Sequence, residues 1–412
     1  MKAMADLRIV GRALVGDRLL DEVTVEVDGD LISSVSVGDV GSGPRLLLSR
    51  GQLLLPSATD IHVHLRDWEQ AYKEDVFTGT SAAVAGGVTT VAEMPNTLPP
   101  IKSPSALKER LELLAARAIA DYAVHVGALD SVKDAVEALE LGACGMKLYP
   151  ADLERLEDYL RVSRQSGMRL VVHAELRGGD EQEAVRMILS RIAAGDDVRL
   201  AHVSMAESLR MVELARGELA ARITVEAAPH HMLLSREALD EESKKISAVR
   251  PPLASEADRR YIFSGLDGCS VDFIASDHAP HALDEKMSDP PAPGFPGLEV
   301  TYPLMLTEWL EGRLGISTLV KKFCRAPAEY LGIRKGEIRK GFYADLVVFD
   351  TKTIWRLSAK DFLSKAKYTP FEGRMLSAKV VSVFRRGELV YDGELLVKGG
   401  GVHVRELGQK TR

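Results

Sequence analysis

Residues 59–64 read Thr-Asp-Ile-His-Val-His, a short strand-like run that begins just after Pro56. Strand side chains alternate between faces, so His62 and His64 share one side, about 7 Å apart along the backbone. Both imidazoles can then converge on one ion just beyond the strand end. Seven further apolar runs follow: VTTVAEM (88–94), DYAVHVG (121–127), CGMKLY (144–149), RLVVHAE (169–175), VRLAHVS (198–204), ITVEAAP (223–229) and VDFIAS (271–276). Mostly helical segments connect them. One starts at Ser103-Pro104, with Leu107, Leu111, Leu114 and Ala118 at helical spacing. Another is expected from about Asp152 to Ser166, stopping at Gly167. Eight such units across roughly 290 residues predict an α/β fold, a (β/α)8 TIM-like barrel spanning residues 56–342.

Both ends of the chain differ in character. LRIVGRALV (7–15), VTVEVDG (23–29), LISSVSVG (31–38) and RLLLSRGQLLL (45–55) read as strands with turns. Strands are expected again in ADLVVFD (344–350), VVSVFRRGELVYDG (380–393) and GVHVREL (401–407). Residues 1–55 and 343–412 are therefore expected to form one small composite β domain. The stretch SDPPAPGFPG (288–297) is a loop by its proline and glycine content.

The 412 residues are 46% hydrophobic and 27% charged, which excludes a mainly disordered chain. Lys plus Arg number 53 against 60 acidic residues, a formal charge of −7. That balance argues against general nucleic-acid or anionic-membrane binding and leaves room for a local basic pocket. Cys144, Cys269 and Cys324 are widely spaced, with no C-x-x-C pair, which argues against a disulfide framework or a cysteine zinc knuckle. The N-terminus lacks an apolar signal core, and no run reaches the roughly 18 residues of a membrane span, so a cytoplasmic protein is the default.

Five of the eight strand ends carry groups suited to a metal centre: His62 and His64, Lys147, His173, His202 and Asp277. In such barrels the catalytic face lies where strands end. A lone H-x-H pair is common on surfaces; six such groups at one face are harder to dismiss. Lys147 in isolation reads as a surface lysine. Between cations in a barrel mouth, its neutral amine could instead react with CO₂ to give a carbamate that bridges two metals. Asp277 reads either as a turn residue before a proline or as a carboxylate that touches a metal and accepts a proton from bound water.

The motifs DIHVHLRD (60–67), GGVTTVAEMPNT (86–97), GMKLY (145–149), VHAE (172–175), AHVS (201–204), APHH (228–231), RPP (250–252), SDHAPH (276–281) and PGFPGLE (293–299) resemble the dihydroorotases of the amidohydrolase superfamily. The resemblance spans almost the whole chain, to GFYADLVVFD (341–350). With lysine at 147 and YTPFEG at 368–373, it is most similar to the dihydroorotase domain of the eukaryotic multifunctional pyrimidine protein.

The resemblance implies two zinc ions bridged by carboxylated Lys147 and a hydroxide. His62, His64 and Asp277 would hold one ion, and His173 and His202 the other. Arg66, Asn96 and His281 would bind the substrate carboxylate, a role that suits a planar guanidinium. Arg250 would contact substrate, and the backbone at Pro293 and Gly294 would meet its ring. His230 and His231, and His278 with them, are expected either to support the ligands from behind or to be structural, and His125 and His403 match no ligand motif. Two departures touch the loops: Trp68-Glu69 replaces the usual Pro-Gly, and the segment after Lys147 is a short Y-P-A-D.

The implied function is reversible hydrolysis of dihydroorotate to N-carbamoyl-aspartate in pyrimidine synthesis, with Asp277 as base and then acid. A hydantoinase or allantoinase would share the metal centre; Arg66 discriminates, because a neutral hydantoin has no carboxylate to fill it. An inactive dihydroorotase-like scaffold should have lost ligands, and none is missing here. The expected partner is a small-molecule substrate. A homo-oligomer and association with aspartate transcarbamoylase are both left open.

Overall fold

The computed structural model describes residues 4–176, 178–268 and 270–409, so Cys269 lies outside the described residues. The chain starts with β1 (Leu7–Val15), β2 (Arg18–Asp28), β3 (Leu31–Val37), β4 (Arg45–Leu47) and β5 (Gln52–Pro56). All eight central runs then form strands: β6 (Ala58–Val63), β7 (Val88–Glu93), β8 (Asp121–Gly127), β9 (Ala143–Leu148), β10 (Leu170–Val172), β11 (Asp197–Leu200), β12 (Arg222–Ala227) and β13 (Phe273–Ile274). They pair in parallel and in sequence order, the arrangement of a TIM barrel. The two ends meet through a single bridge, Val63 to His278, with the His64 N–H donating to the His278 carbonyl at 2.8 Å. A side chain completes the closure: the Asp60 carboxylate accepts the Ser276 N–H at 3.0 Å.

Last come β14 (Leu346–Asp350), β15 (Trp355–Arg356), β16 (Met375–Leu376), β17 (Lys379–Arg385) and β18 (Glu388–Tyr391). The auxiliary sheet draws on both chain ends, in the order β18-β17-β14-β5-β1-β2-β3 with β4 beside β1. Strand β5 sits between β14 and β1 and leads within two residues into β6, so the two sheets are tied together at Pro56.

Local chemistry sets the helix ends. Ser103 Oγ accepts the Ala106 N–H at 3.2 Å and starts the helix Pro104–Arg117. The next expected helix ends as read, with Gly167 left-handed at φ 77°. It begins later, at Leu156, because Pro150–Arg155 winds into a tighter 3₁₀ turn held by Asp152 accepting the Tyr149 N–H at 2.9 Å.

The expected strand at 401–407 is corrected. His403 makes one bridge, to Tyr122, and Val404–Gln409 is helical. Val404 and Leu407 are spaced three apart, one helical face, and both are buried with Ile61, Ala92, Ala123 and Tyr330. The segment therefore covers the base of the barrel instead of adding a strand to the auxiliary sheet.

The main core lies between the strands and their surrounding helices. The barrel interior is not simply apolar. Asp60, His62, His125, Lys147, Arg199 and Glu226 are all essentially inaccessible. Buried charges need partners, and those partners assemble the site.

Candidate active site and metal centre

At the strand ends opens a cavity of about 360 Å³, whose lining includes His62, His64, Lys147, His173, His202 and Asp277. His62 Nε2 and His64 Nε2 each lie 3.3 Å from the same oxygen, Asp277 Oδ1. These three buried residues could hold a metal ion, their ligand atoms all lying within 4.8 Å of one another. The His173 and His202 rings pack edge to face at 4.4 Å, and the His202 ring is 5.2 Å from that of His62. Lys147 Nζ is buried without a hydrogen-bond partner among the described residues, 5.6 Å over the Tyr149 ring. His202 Nδ1 is likewise buried and unpartnered.

Burial sets the electrostatics. It holds all four imidazoles below the ordinary histidine value, so they are neutral, the form that can offer a lone pair to a cation. It also lowers the Lys147 amine to about 8. For Asp277, burial, reinforced by the Glu226 charge, raises the carboxyl to about 7.

Backbone strain is concentrated here as well. Among the described non-glycine residues, positive φ occurs at Arg66 (56°), Asp67 (66°), Trp68 (47°), His202 (37°), Asp277 (50°) and Arg386 (48°). All but Arg386 follow barrel strands β6, β11 and β13 into the mouth. Such conformations persist only where surroundings over-determine them. Around Asp67 they do: its carboxylate accepts the Trp68 and Val76 N–H groups and an Arg117 N–H, and Arg110 lies over the Trp68 ring at 4.9 Å. Trp68-Glu69 thus opens a short 3₁₀ turn, Trp68–Gln70.

Of the expected substrate contacts, Arg66, Asn96, Arg250, Pro293 and Gly294 line the same cavity, while His281 stands behind Arg66 and Pro293 and does not line it. Arg66 is 5% exposed; its Nε donates to the Pro280 carbonyl at 3.2 Å and its Nη2 is 3.3 Å from His281 Nε2. His281 has Lys73 Nζ at its Nδ1 (3.3 Å) and the Pro293 carbonyl at its Nε2 (3.0 Å). Each ring nitrogen therefore faces both a donor and an acceptor, since Glu285 Oε2 also lies 3.4 Å from Nδ1. Asn96 Oδ1 accepts from His64 Nδ1 at 2.5 Å, which leaves its amide N–H groups as donors. Arg250 donates to Glu175 Oε1 at 3.0 Å from an exposed position. Gly294 N–H is taken by the Ala248 carbonyl, and a side chain at its φ of 126° would strike the Ala279 carbonyl.

Three contributors were not read from the sequence. Glu226 Oε1 lies 2.6 Å from His62 Nδ1 and accepts the His202 N–H at 3.3 Å, and Glu226 Oε2 is 3.6 Å from Arg199 Nε. Its signal was a lone carboxylate inside the apolar run ITVEAAP. Glu175 joins His173 (2.9 Å) to Arg250. The Tyr149 hydroxyl is buried and without a partner among the described residues, on a residue that lines the cavity. Of the remaining histidines, His278 Nδ1 accepts the Gly297 N–H, His230 packs on Phe295, His125 accepts from Arg199 and His403 lies at the barrel base, while His231, its ring 4.3 Å from that of His230, is near enough to His173 and His202 to interact with both.

A parallel eight-stranded barrel with a buried His-His-Asp cluster at its strand ends is the architecture of a metal-dependent hydrolase. Residues 53–390 match the amidohydrolase family, and the chain belongs to that family. Within it, the chain is related to dihydroorotases and hydantoinases. It is 34% identical to the dihydroorotase of Pyrococcus furiosus, covering 96% of this chain and 98% of that one. It is also 34% identical to the multifunctional protein CAD of Squalus acanthias, over 84% of this chain and 15% of that much longer protein. Among solved structures, the L-hydantoinase (dihydropyrimidinase) of Arthrobacter aurescens superposes with a TM-score of 0.86 at 25% identity, covering 97% and 99% of the two chains. The D-hydantoinase of Thermus sp. gives 0.84 at 22%, covering 97% and 98%, a likeness of fold alone.

Proposed function

We propose that this chain is a zinc-dependent dihydroorotase that reversibly hydrolyses the ring amide of (S)-dihydroorotate to N-carbamoyl-L-aspartate in pyrimidine synthesis. The observation that carries the reading is Arg66, a buried guanidinium beside His281 in a cavity it shares with His62, His64 and Asp277. Dihydroorotate brings a carboxylate to pair with it; a hydantoin leaves it unfilled, which is unfavourable for a buried charge. The full-length match to a dihydroorotase supports the same choice.

The donor set fits zinc: neutral imidazoles and carboxylate oxygen, with Lys147 Nζ and His202 Nδ1 buried and unpartnered among the described residues. In this reading His62, His64 and Asp277 would hold one ion, and His173 and His202 would hold a second. Lys147 would serve as a further donor once carboxylated: its amine, when neutral, would bond to the carbon of dissolved CO₂ and release one proton to water, leaving an anionic carbamate with two oxygens. When bound, zinc supplies Lewis-acid polarisation of the scissile carbonyl and acidifies water to near-neutral pH.

The chain's own groups do the rest. Arg66 and the Asn96 amide fix the carboxylate and thereby hold the ring carbonyl over the cluster. His281 reaches the carboxylate by exchanging its Pro293 carbonyl for substrate. As water oxygen bonds to the carbonyl carbon, the Asp277 carboxylate takes the proton; as the C–N bond breaks, it returns that proton to the ring nitrogen. Purified protein assayed on dihydroorotate, hydantoin and allantoin, with parallel metal analysis, tests this. Turnover of hydantoin with none of dihydroorotate overturns it.

A further inference from the structure

Lys286 sits in the short helix Leu283–Met287 beyond the site and is fully buried. Its Nζ donates to three carbonyls: Ala248 at 2.6 Å, Gly294 at 2.8 Å and Ala292 at 2.9 Å. No carboxylate pairs with it among the described residues, and its depressed basicity has burial as its one cause. The three carbonyls take the place of the water this ammonium gives up, and without it they would lose a buried donor, so its contribution falls on the segments that carry them.

What the three carbonyls share is their place in the chain. Ala248 lies two residues before Arg250, in the segment that follows β12. Ala292 and Gly294 flank Pro293, in the segment that follows β13. The same Ala248 carbonyl also accepts the Gly294 N–H at 2.8 Å, so two donors from the second loop side converge on one acceptor of the first. Pro293, held on both sides, offers its carbonyl to His281 Nε2 at 3.0 Å. Arg250, Pro293 and Gly294 all line the cavity.

We propose that Lys286 is a positioning residue that joins these two loops into one wall of the substrate cavity and so sets the fit of the substrate ring. The inference rests on the dihydroorotase reading for its substrate, and on geometry alone for the joining of the loops. Lys286 touches neither the metal cluster nor Arg66, so its loss should weaken substrate binding with little effect on the chemical step.

The test uses full-length, metal-loaded protein and the variants Lys286→Met and Lys286→Gln. In Lys286→Met the KM for dihydroorotate is expected to rise about tenfold, with kcat within about threefold and metal content unchanged. Lys286→Gln, which keeps two donors, should fall between. Amide exchange in residues 246–252 and 288–297 should accelerate together in Lys286→Met, with the barrel strands unaffected. A folded, metal-loaded Lys286→Met with wild-type KM and wild-type exchange overturns the proposal.

Should the variants fail to fold, the wild-type protein still decides the matter. The two loops must exchange with one common rate, and independent rates overturn the joining. If the wild type does not turn over dihydroorotate, the functional reading fails while the exchange experiment still judges the loops.

Discussion

Glu226 Oε1 stands 2.6 Å from His62 Nδ1 and also receives the backbone N–H of His202, so one carboxylate oxygen ties a residue of β6 to one just past β11. An acceptor at Nδ1 fixes the His62 tautomer and turns its Nε2 lone pair toward the cluster with His64 and Asp277. Glu226→Gln is expected to keep the fold and lower metal affinity by about 10- to 100-fold, measured by competition with a chelator. Wild-type affinity in that variant would show that Glu226 serves only to balance Arg199.

Arg66 separates substrate recognition from metal binding. Arg66→Met should retain its metal and lose roughly a hundredfold in kcat/KM on dihydroorotate, the effect of truncating one partner of a buried charge pair. Arg66→Lys should recover little, because an ammonium cannot reproduce the fork that meets a planar carboxylate. Steady-state kinetics beside metal analysis checks both; an unchanged kcat/KM in Arg66→Met removes the main support for a carboxylate-bearing substrate.

The barrel was legible because its strands are continuous apolar runs at regular spacing, and five of them end in groups with metal chemistry. That pattern gathered six such groups at one face, and the resemblance to the dihydroorotases singled out His62, His64 and Asp277 among them as one set, the three that the structure brings together. What escaped notice depends on contacts distant in sequence. Glu226 looks like an outward-facing residue until 164 positions of chain bring His62 against it. Lys286, in a D-E-K run, reads as solvent-exposed until two loops close over it. The segment 401–407 was misread because two valines beside a histidine imitate a strand, whereas its buried pair, Val404 and Leu407, has helical spacing.

That terminal helix gives a prediction about the opposite face of the barrel. Leu407 is fully buried at the base, and Tyr343 Oη donates to its carbonyl at 3.1 Å. Leu407→Ala should cost about 3 kcal/mol of stability through lost burial and a residual cavity. Because the proposed catalytic groups lie at the other face, kcat and KM at 25 °C should stay near wild type. Thermal unfolding and kinetics on one preparation test the separation; a large kcat loss without destabilisation would refute it.

Glu181 supplies a pH-dependent test away from the metal cluster. It opens the helix Glu181–Arg191 and is 2% exposed. Its carboxylate accepts the N–H groups of Ser204 (3.0 Å) and Met205 (3.1 Å), anchoring the turn that follows His202. Burial outweighs these hydrogen bonds and raises its pKa from 4.5 to about 7. The folded protein therefore keeps a proton that the unfolded chain releases above about 4.5. The stability that this adds is complete below about 4.5 and is lost as pH climbs through about 7. Glu181→Gln does not titrate, so its stability relative to wild type should rise across that interval, by about 2 kcal/mol. Urea unfolding at pH 5 and pH 8 measures the difference. A constant gap between the two proteins would mean that Glu181 titrates alike in the folded and unfolded states, and that the donors of Ser204 and Met205 fully offset its burial.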